Sequence, residues 1–329
     1  MREGARAPAG PARPDGRVWA LHLGVLGLLA LLQAVLPPFH HGMVTRIMLL
    51  AAFAAGYNLL LGYTGLMSLG HALLFAAGLY AAGLGVYYGQ LAPLPALGAG
   101  VAAGLAAAAL VGAVALRTTG VAFLIVTLMV AQVGFLTTLH FNRITGGDQG
   151  LTLTGRLRPL ALGPWHLDLA LPAVKYNLAL AVLAAGLLLS LWVVRSPLGR
   201  VLRAVRENEE RVRLLGYDPF RYKLLALVLS GGLAGAAGAG YALLFAYVGS
   251  AFADVLYSIL PLLWVLVGGA GTTLGPLVGT ALMVYVVDVA SGLTTAYLFV
   301  VGGTLLLLVL WFPQGIVGTA RARWWPWLP

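Results

Sequence analysis

No charged residue occurs between positions 47 and 116, and further uncharged stretches cover positions 224–253, 255–287 and 289–320. A helix needs about 20 predominantly apolar residues to cross the hydrocarbon core of a bilayer, so the first stretch is long enough for about three crossings. Backbone groups in lipid must be hydrogen-bonded internally, and no alternating apolar and polar strand pattern occurs. The sequence therefore predicts an all-α polytopic membrane protein.

Composition agrees with this class and excludes others. Hydrophobic residues make up 60% of the chain, charged residues 9%, and cysteine is absent, which excludes disulfides and thiolate chemistry. The net charge of +10 does not indicate nucleic-acid binding, because the basic residues lie at the ends of apolar stretches. Neither Lys175 nor Lys223 follows Gly or precedes Ser or Thr, as a Walker A motif requires. We find no pattern for a catalytic group, a metal site or a bound cofactor, and expect the chain not to be an enzyme.

Apolar length and breaker residues predict about ten transmembrane helices, some of them partly re-entrant. Both termini are expected in the cytoplasm, because 15 of the 20 Lys and Arg residues then lie on the cytoplasmic side. The predicted spans are 18–36, 43–61, 73–88, 94–116, 121–139, 176–194, 222–247, 255–271, 274–290 and 294–312.

These spans divide the chain into a membrane domain and two tails. Residues 1–17, rich in Ala, Pro, Gly and Arg, are expected to form a disordered basic tail. Residues 18–318 form the transmembrane domain, which includes a periplasmic segment at 140–175 and a cytoplasmic loop at 195–223. Residues 319–329 form a C-terminal tail.

The cytoplasmic loop has the sequence RSPLGRVLRAVRENEERVRLLGYDPFRYK. Ser196 and Pro197 are typical of a helix start, apolar residues follow at helical spacing, and Gly216 indicates a helix end. The loop therefore predicts one or two short amphipathic helices. They could lie among lipid headgroups, but anionic headgroups would repel the acidic residues, which favours docking to a protein partner. The acidic residues are Glu207, Glu209 and Glu210.

A second informative segment is GYTGLMSLGH, residues 62–71, where glycines and polar side chains interrupt an apolar region. Freed backbone groups at membrane depth are tolerated only inside protein or beside a water-filled path. The segment is either a simple loop with His71 hydrogen-bonded locally, or a break that lines or gates a substrate pathway. The candidate residues are Gly62, Gly65, Ser68, Gly70 and His71, together with Gly268 and Gly269 in the Gly-rich stretch GGAGTTLG.

Other unusual residues within or near spans carry weaker signals. Asp254 lies at a span boundary and is expected to cap a helix, whereas Asp288 is expected to face water. Neither has a basic residue in the adjoining predicted spans, which disfavours a proton relay. Glycines crowd the span at 222–247 at intervals that permit close helix packing.

Four motifs in chain order resemble one family of transporters. NLLLGYTGLMSLGHALLFAAGLYAAGL (58–84) is similar to its Gly-Tyr-x-Gly-x-x-Ser-Leu-Gly-His block, and TGGDQGL (145–151) to its Thr-Gly-Gly-x-x-Gly-Leu element. LPLLWVLVGGAGTTLGPLVGTAL (260–282) is similar to its Gly-Gly-x-Gly-x-x-x-Gly-Pro element. The loop and the following helix complete the likeness, which runs from about 43 to 318. The chain thus resembles branched-chain amino acid ABC transporter permeases of the LivM type.

This resemblance implies a function and partners. It predicts an ABC-importer permease domain over 18–318 in the bacterial inner membrane, importing branched-chain or related hydrophobic amino acids. Partners would be a homologous second permease, two ATPases that bind ATP and Mg, a periplasmic binding protein and membrane lipid, but no nucleic acid. Glu210 and Gly216 match the Glu-to-Gly spacing of the family's ATPase-coupling loop, although Arg211 and Val212 replace its two alanines. The implied coupling residues are Arg206, Glu207, Glu209, Glu210 and Gly216.

Alternatives remain open from the sequence. The same architecture carries urea, amides, aromatic acids or sugars in related permeases, and the substrate is not fixed by these motifs. An ion-coupled secondary carrier would require paired charges within the membrane and no ATPase. A structural membrane subunit without transport activity would leave the cytoplasmic helices without a use.

Overall fold

A computed structural model describes residues 16–162, 165–325 and 327 and consists mostly of helices. In chain order the helices are α1 (Gly16–Leu32), α2 (Pro38–Thr64), α3 (His71–Tyr87), α4 (Pro93–Ala115), α5 (Val121–His140), α6 (Asn142–Thr145), α7 (Pro172–Arg195), α8 (Pro197–Glu207), α9 (Glu209–Leu214), α10 (Pro219–Phe245), α11 (Val255–Gly268), α12 (Gly275–Leu293), α13 (Tyr297–Trp311) and α14 (Ile316–Arg323). The short strands are β1 (Leu151–Thr152), β2 (Leu160–Leu162), β3 (Trp165–Leu167) and β4 (Tyr247–Val248), and Ser250–Phe252 forms a 3-10 turn.

Each of the ten predicted spans corresponds to a helix. Seven segments are long and apolar enough to cross a membrane, namely α2, α4, α5, α7, α10, α12 and Tyr297–Arg323, which contains α13 and α14. The helices α1, α3 and α11 are apolar but shorter, in keeping with the expectation of partly re-entrant segments. The largest difference in boundary is at α2, which begins at Pro38 rather than at 43, because proline suits the first position of a helix. The multi-pass fold is confirmed, and the cytoplasmic placement of both termini stays a prediction.

The ends of the chain differ in part from expectation. The predicted tail at 1–17 lies mostly outside the described residues, and its last two residues, Gly16 and Arg17, already belong to α1. At the other end, the predicted tail at 319–329 begins inside α14, which starts after Gly315 and packs against α11 and α12. The chain therefore continues as ordered helix through Arg323.

Helix α10 packs closely against α2, α3 and α4 because its glycines let backbones touch. A Cβ atom added to Gly235 would lie 2.6 Å from the carbonyl oxygen of Gly100 and 2.9 Å from the Cα of Gly104. One added to Gly238 would collide with the carbonyl oxygen of Phe75. The predicted packing role of these glycines is confirmed.

Helix α2 is the central helix of the bundle, with α7, α10, α11 and α12 around it. Every residue from Met43 to Leu60 is buried except Arg46, whose side chain is exposed. A helix that is apolar all round and buried in this way is typical of the core of a membrane bundle. It therefore forms one continuous helix through the centre of the bundle, from Pro38 to Thr64.

A strand pair joins two segments that are far apart in sequence. Leu151 of β1 pairs with Val248 of β4 in an antiparallel arrangement, so the segment after α6 is held to the connection between α10 and α11. That connection ends at Asp254, whose carboxylate accepts a hydrogen bond of 2.7 Å from the backbone N–H of Leu256. The expectation that Asp254 caps a helix is confirmed.

Candidate functional site

The chain breaks between α2 and α3, as the glycine-rich segment predicts. Helix α2 ends at Thr64, and Gly65 has a φ of 73°, a left-handed conformation that glycine adopts readily. Residues 65–70 are not helical, and α3 begins at His71. Gly62 lies in the last turn of α2, so the break is narrower than the predicted block of 62–71.

The residues of the break fold back against buried helices. The Tyr57 hydroxyl donates a hydrogen bond of 3.0 Å to the carbonyl oxygen of Ser68, and the Ser68 hydroxyl accepts one of 3.1 Å from the N–H of Gly70. The N–H of Leu69 donates to the hydroxyl of Thr127 on α5 at 3.2 Å. Several of the backbone groups that the break frees are thus paired within the protein, as a break inside a membrane bundle requires.

His71 connects the break to α10. Its side chain is fully buried, and its Nε2 lies 2.7 Å from the hydroxyl of Ser230. Its ring packs edge-on against Tyr57, with 4.5 Å between the ring centroids. The bond to Ser230 spans 159 residues, so His71 is not bonded within a local loop. It fixes the start of α3 between α2 and α10.

The second glycine-rich segment lies beside the end of α2. Helix α11 ends at Gly268, and Gly269 follows with a φ of 120°. Asn58 of α2 accepts a hydrogen bond of 2.9 Å from the N–H of Gly271 and donates one of 2.8 Å to the carbonyl oxygen of Thr272. These bonds hold the loop after α11 against the last two turns of α2. The structure therefore brings the two predicted glycine-rich segments together.

The loop at 195–223, which is predicted to be cytoplasmic, forms two helices, which confirms the prediction of short amphipathic helices. The hydroxyl of Ser196 caps α8, and the amide oxygen of Asn208 caps α9 by accepting a bond of 2.9 Å from the N–H of Arg211. Gly216 has a φ of 87°, which ends this unit one residue beyond Leu215. The caps explain why the helices start where they do.

The acidic residues of the loop differ in their surroundings. Glu209 forms a salt bridge of 2.8 Å with Arg213 and another with Lys223 of α10, whose side chain is 6% exposed. Its carboxylate therefore attaches α9 to α10. Glu207 and Glu210 are exposed on the outside of the loop.

The apolar residues of the loop also divide into two groups. Leu202, Val205 and Val212 are buried against the protein itself, so much of the predicted apolar stripe serves the fold. Leu214 and Leu215 are instead 89% and 69% exposed. Near them, α8, α9 and the start of α10 enclose a groove of about 580 Å³. The exposed apolar surface of the loop is thus formed by Leu214 and Leu215 at the end of α9.

Arg206 joins the loop to the break in the bundle. Its guanidinium donates a hydrogen bond to the carbonyl oxygen of Gly62, and a Cβ atom on Gly65 would lie 3.0 Å from its Cγ. From the other side, the guanidinium of Arg321 on α14 donates to the carbonyl oxygen of Gly271 at 3.3 Å. Two arginines therefore hold the end of α2 and the loop after α11.

Sequence reasoning missed several residues of this junction. Nothing in the sequence indicates that Asn58, the first residue of the 58–84 motif, binds the loop after α11. Two further residues of the junction belong to no sequence motif. Arg321 donates to Gly271, and the Nε2 of His22 lies 2.7 Å from the Thr273 hydroxyl. A buried polar side chain in an apolar helix is the signal that could have found Asn58 and His22, because such a group requires a partner.

Residues 41–310 match the family model described as branched-chain amino acid transport system, permease component. The chain belongs to this permease family. The permease is 31% identical to the high-affinity branched-chain amino acid transport system permease protein LivM of Escherichia coli, over 98% of the chain and 82% of that protein. It is also 31% identical to the protein of the same description from Salmonella typhimurium, over 85% of the chain and 70% of that protein.

A solved structure has a related outline. It is described as an inward-facing conformation of a putative metal-chelate type ABC transporter, with 17% identity to the permease and a TM-score of 0.49. The match covers 89% of the permease and 99% of the solved chain. The family assignment rests on the sequence match.

Proposed function

We propose that this chain is the membrane-spanning subunit of an ATP-driven importer for branched-chain or related hydrophobic amino acids in the bacterial inner membrane. It would pair with a homologous permease, two cytoplasmic ATPases and a periplasmic binding protein. Membership of the permease family and the names of its LivM relatives support the substrate class. The chain itself would bind no nucleotide, and ATP and Mg would be held by the ATPases.

One contact carries the mechanism, namely the hydrogen bond from Arg206 to Gly62. Helices α8 and α9 would be the part of the loop that an ATPase moves, with Glu207, Glu210, Leu214 and Leu215 on the docking surface. Arg206 donates a hydrogen bond to the carbonyl group of Gly62, three residues before the break, so motion of α8 would displace the end of α2. The loop at 269–274 would follow, since Asn58 binds it.

The glycine-rich residues would then act as the moving part of the pathway. Gly65 and Gly269 have positive φ angles, which glycine adopts readily because it has no Cβ, and both lie at ends of helices. Gly70 approaches α5 closely, because a Cβ atom there would lie 2.9 Å from the carbonyl oxygen of Thr127. Alternating access would need such a hinge beside a rigid helix.

This function is tested with the full complex in lipid vesicles, where both substrate import and substrate-dependent ATP hydrolysis are measured. The full complex, with its binding protein, is expected to import leucine, isoleucine and valine only when ATP is present. Vesicles that import urea, an amide, an aromatic acid or a sugar instead would contradict the proposed substrate. Import driven by an ion gradient without the ATPases would contradict the proposed class.

The Arg206→Ala variant tests the coupling contact. We expect it to assemble with the ATPases but to lose most of the stimulation of ATP hydrolysis by the loaded binding protein. Arg203→Ala is the matched control, because Arg203 donates to the backbone carbonyls of Gly199 and Val194 and forms no hydrogen bond with α2 among the described residues. Equal stimulation in both variants would show that the contact with Gly62 does not transmit motion.

A further inference from the structure

Arg46 is the one exposed residue in an otherwise buried part of the central helix. All residues from Met43 to Leu60 are described, and the others in that range are buried. Arg46 lies eight positions after the start of α2, or about 12 Å along the helix axis. In the described part of the chain its guanidinium forms no hydrogen bond or salt bridge within 4.0 Å.

Arg46 lines a cavity of about 430 Å³ formed by α2, α11, α12 and the end of α10. Sites for small molecules are typically about 300–1,000 Å³ in volume. Much of the wall is apolar or aromatic, with Met43, Leu50, Trp264 and Met283 among its residues. The cavity could therefore enclose an apolar side chain of moderate size.

An acidic residue lines the same cavity from another helix. Asp288 of α12 lines it, five residues before the end of that helix at Leu293. Like Arg46 it is exposed, and its side chain forms no salt bridge or hydrogen bond with another described residue. The expectation from sequence that no basic residue lies near Asp288 is thus incomplete, because α2 supplies one across 242 positions.

Two unpaired charges on membrane-spanning helices would be costly if they faced lipid. Ionised side chains within spans almost always face a cavity or the interior of the bundle, and they mark binding sites and pathways. Both α2 and α12 are candidate membrane spans. The charges are therefore best explained by a polar occupant of the cavity.

We propose that this cavity binds the zwitterionic form of an α-amino acid with an apolar side chain. Arg46 binds the carboxylate, Asp288 binds the ammonium group, and the apolar wall contacts the side chain. An arginine forms charge-assisted, often bidentate hydrogen bonds with a carboxylate, which suits it to this role. The inference rests on the proposed function and gives that function a binding site within the membrane domain.

The charges also exclude other cargoes from this site. A simple anion would be repelled by Asp288 and a simple cation by Arg46, whereas a neutral sugar or urea would leave both charges unpaired. Burying an unpaired charge is unfavourable, so a ligand that carries both opposite charges is preferred over each of these.

Leucine binding to the permease–ATPase complex in lipid nanodiscs, without the binding protein, is the direct test. Tryptophan fluorescence reports on the cavity because Trp264 lines it. The probes are leucine, 4-methylpentanoate, which lacks the ammonium group, and 3-methylbutylamine, which lacks the carboxylate. Wild type is expected to bind leucine at least about tenfold more tightly than either analogue, the size of effect that loss of a charged hydrogen bond produces.

The variants should change this selectivity in opposite ways. Arg46→Gln should weaken leucine binding by about tenfold or more and abolish the preference for leucine over 3-methylbutylamine. Asp288→Asn should weaken leucine binding similarly and abolish the preference for leucine over 4-methylpentanoate. Arg46→Lys, which keeps the charge, should retain part of the affinity. The matched control Arg117→Gln removes an exposed arginine outside the cavity and should bind leucine as wild type does.

Two results would overturn the site. One is unchanged leucine binding and import in both Arg46→Gln and Asp288→Asn. The other is loss of the second permease subunit from these variants during purification, which would assign the two charges to a contact between subunits. Failure of the proposed function is seen separately, because a wild-type complex that imports no branched-chain amino acid contradicts it before any variant is compared.

Discussion

Asn58 uses both ends of its amide to hold the loop after α11. The side chain is 2% exposed, its oxygen accepts from Gly271, and its nitrogen donates to Thr272. A carboxylate could accept but not donate, and an apolar side chain could do neither. The residue therefore determines whether the loop keeps its place beside Gly62.

The substitution Asn58→Leu tests this role. It leaves a buried N–H and a buried C=O unpaired, so we expect the free energy of unfolding to fall by about 2–4 kcal/mol. The measurement is thermal unfolding of the purified complex in detergent. Asn177→Leu is the control, because Asn177 is exposed and its loss should change the unfolding midpoint little. Equal midpoints for wild type and Asn58→Leu would contradict the argument.

At the scale of single residues, the sequence predicts positions better than partners. Clustered glycines locate the break at Gly65, and a single glycine in the loop locates the turn at Gly216, because a left-handed φ leaves a local signal. The contact between Arg206 and Gly62 crosses 144 positions, and the shared cavity of Arg46 and Asp288 crosses more. Such pairs depend on how helices pack, which a local pattern does not contain. The functional roles of the predicted site residues stay predictions.

At the scale of helices, the contact between α10 and α4 depends on glycines, because residues without side chains let the two backbones approach closely. Their backbones approach at Gly235, Gly100 and Gly104, where only hydrogen atoms separate them. Lipid provides no hydrophobic drive for helix association, so this contact is stabilised by close packing.

The substitution Gly235→Val should therefore separate the two helices. Its Cβ would meet rigid backbone on α4, and we expect about 3 kcal/mol of destabilisation, the upper end of the usual range for overpacking. The readout is the yield of monodisperse protein by size-exclusion chromatography. Gly24→Val on α1 is the matched control, because nothing lies within 4 Å of an added Cβ there. A normal yield of Gly235→Val would show that α10 and α4 can move apart at little cost.

The helices themselves were largely predictable, since apolar length and breaker residues indicate their number and approximate bounds. The pairing of β1 with β4 was not, because strands of two residues carry no periodic pattern. The end of the chain was also missed, since α14 follows Gly315 and contains the two arginines that the sequence places in a tail. Its order comes from packing against α11 and α12.

At the scale of the whole molecule, the orientation in the membrane is the next quantity to measure. The chain has no cysteine, so single-cysteine variants can be labelled without background. Thr154→Cys should react with a membrane-impermeant thiol reagent added outside, and Arg211→Cys only after the inner face is opened. Both positions are exposed. Labelling of both from the same side would reverse the predicted position of the cytoplasmic loop.

The hydrogen bond from Arg206 to Gly62 also has a consequence for regulation. It connects α8 to the far end of the helix that carries Arg46, and free-energy coupling between two binding events is reciprocal. Nucleotide binding on the ATPases would change the affinity of the cavity lined by Arg46 and Asp288 for its ligand. Occupancy of that cavity would then change the affinity for nucleotide by the same factor. An accumulated internal pool of cargo that refills the cavity would then feed back on ATP binding, without a separate regulatory domain.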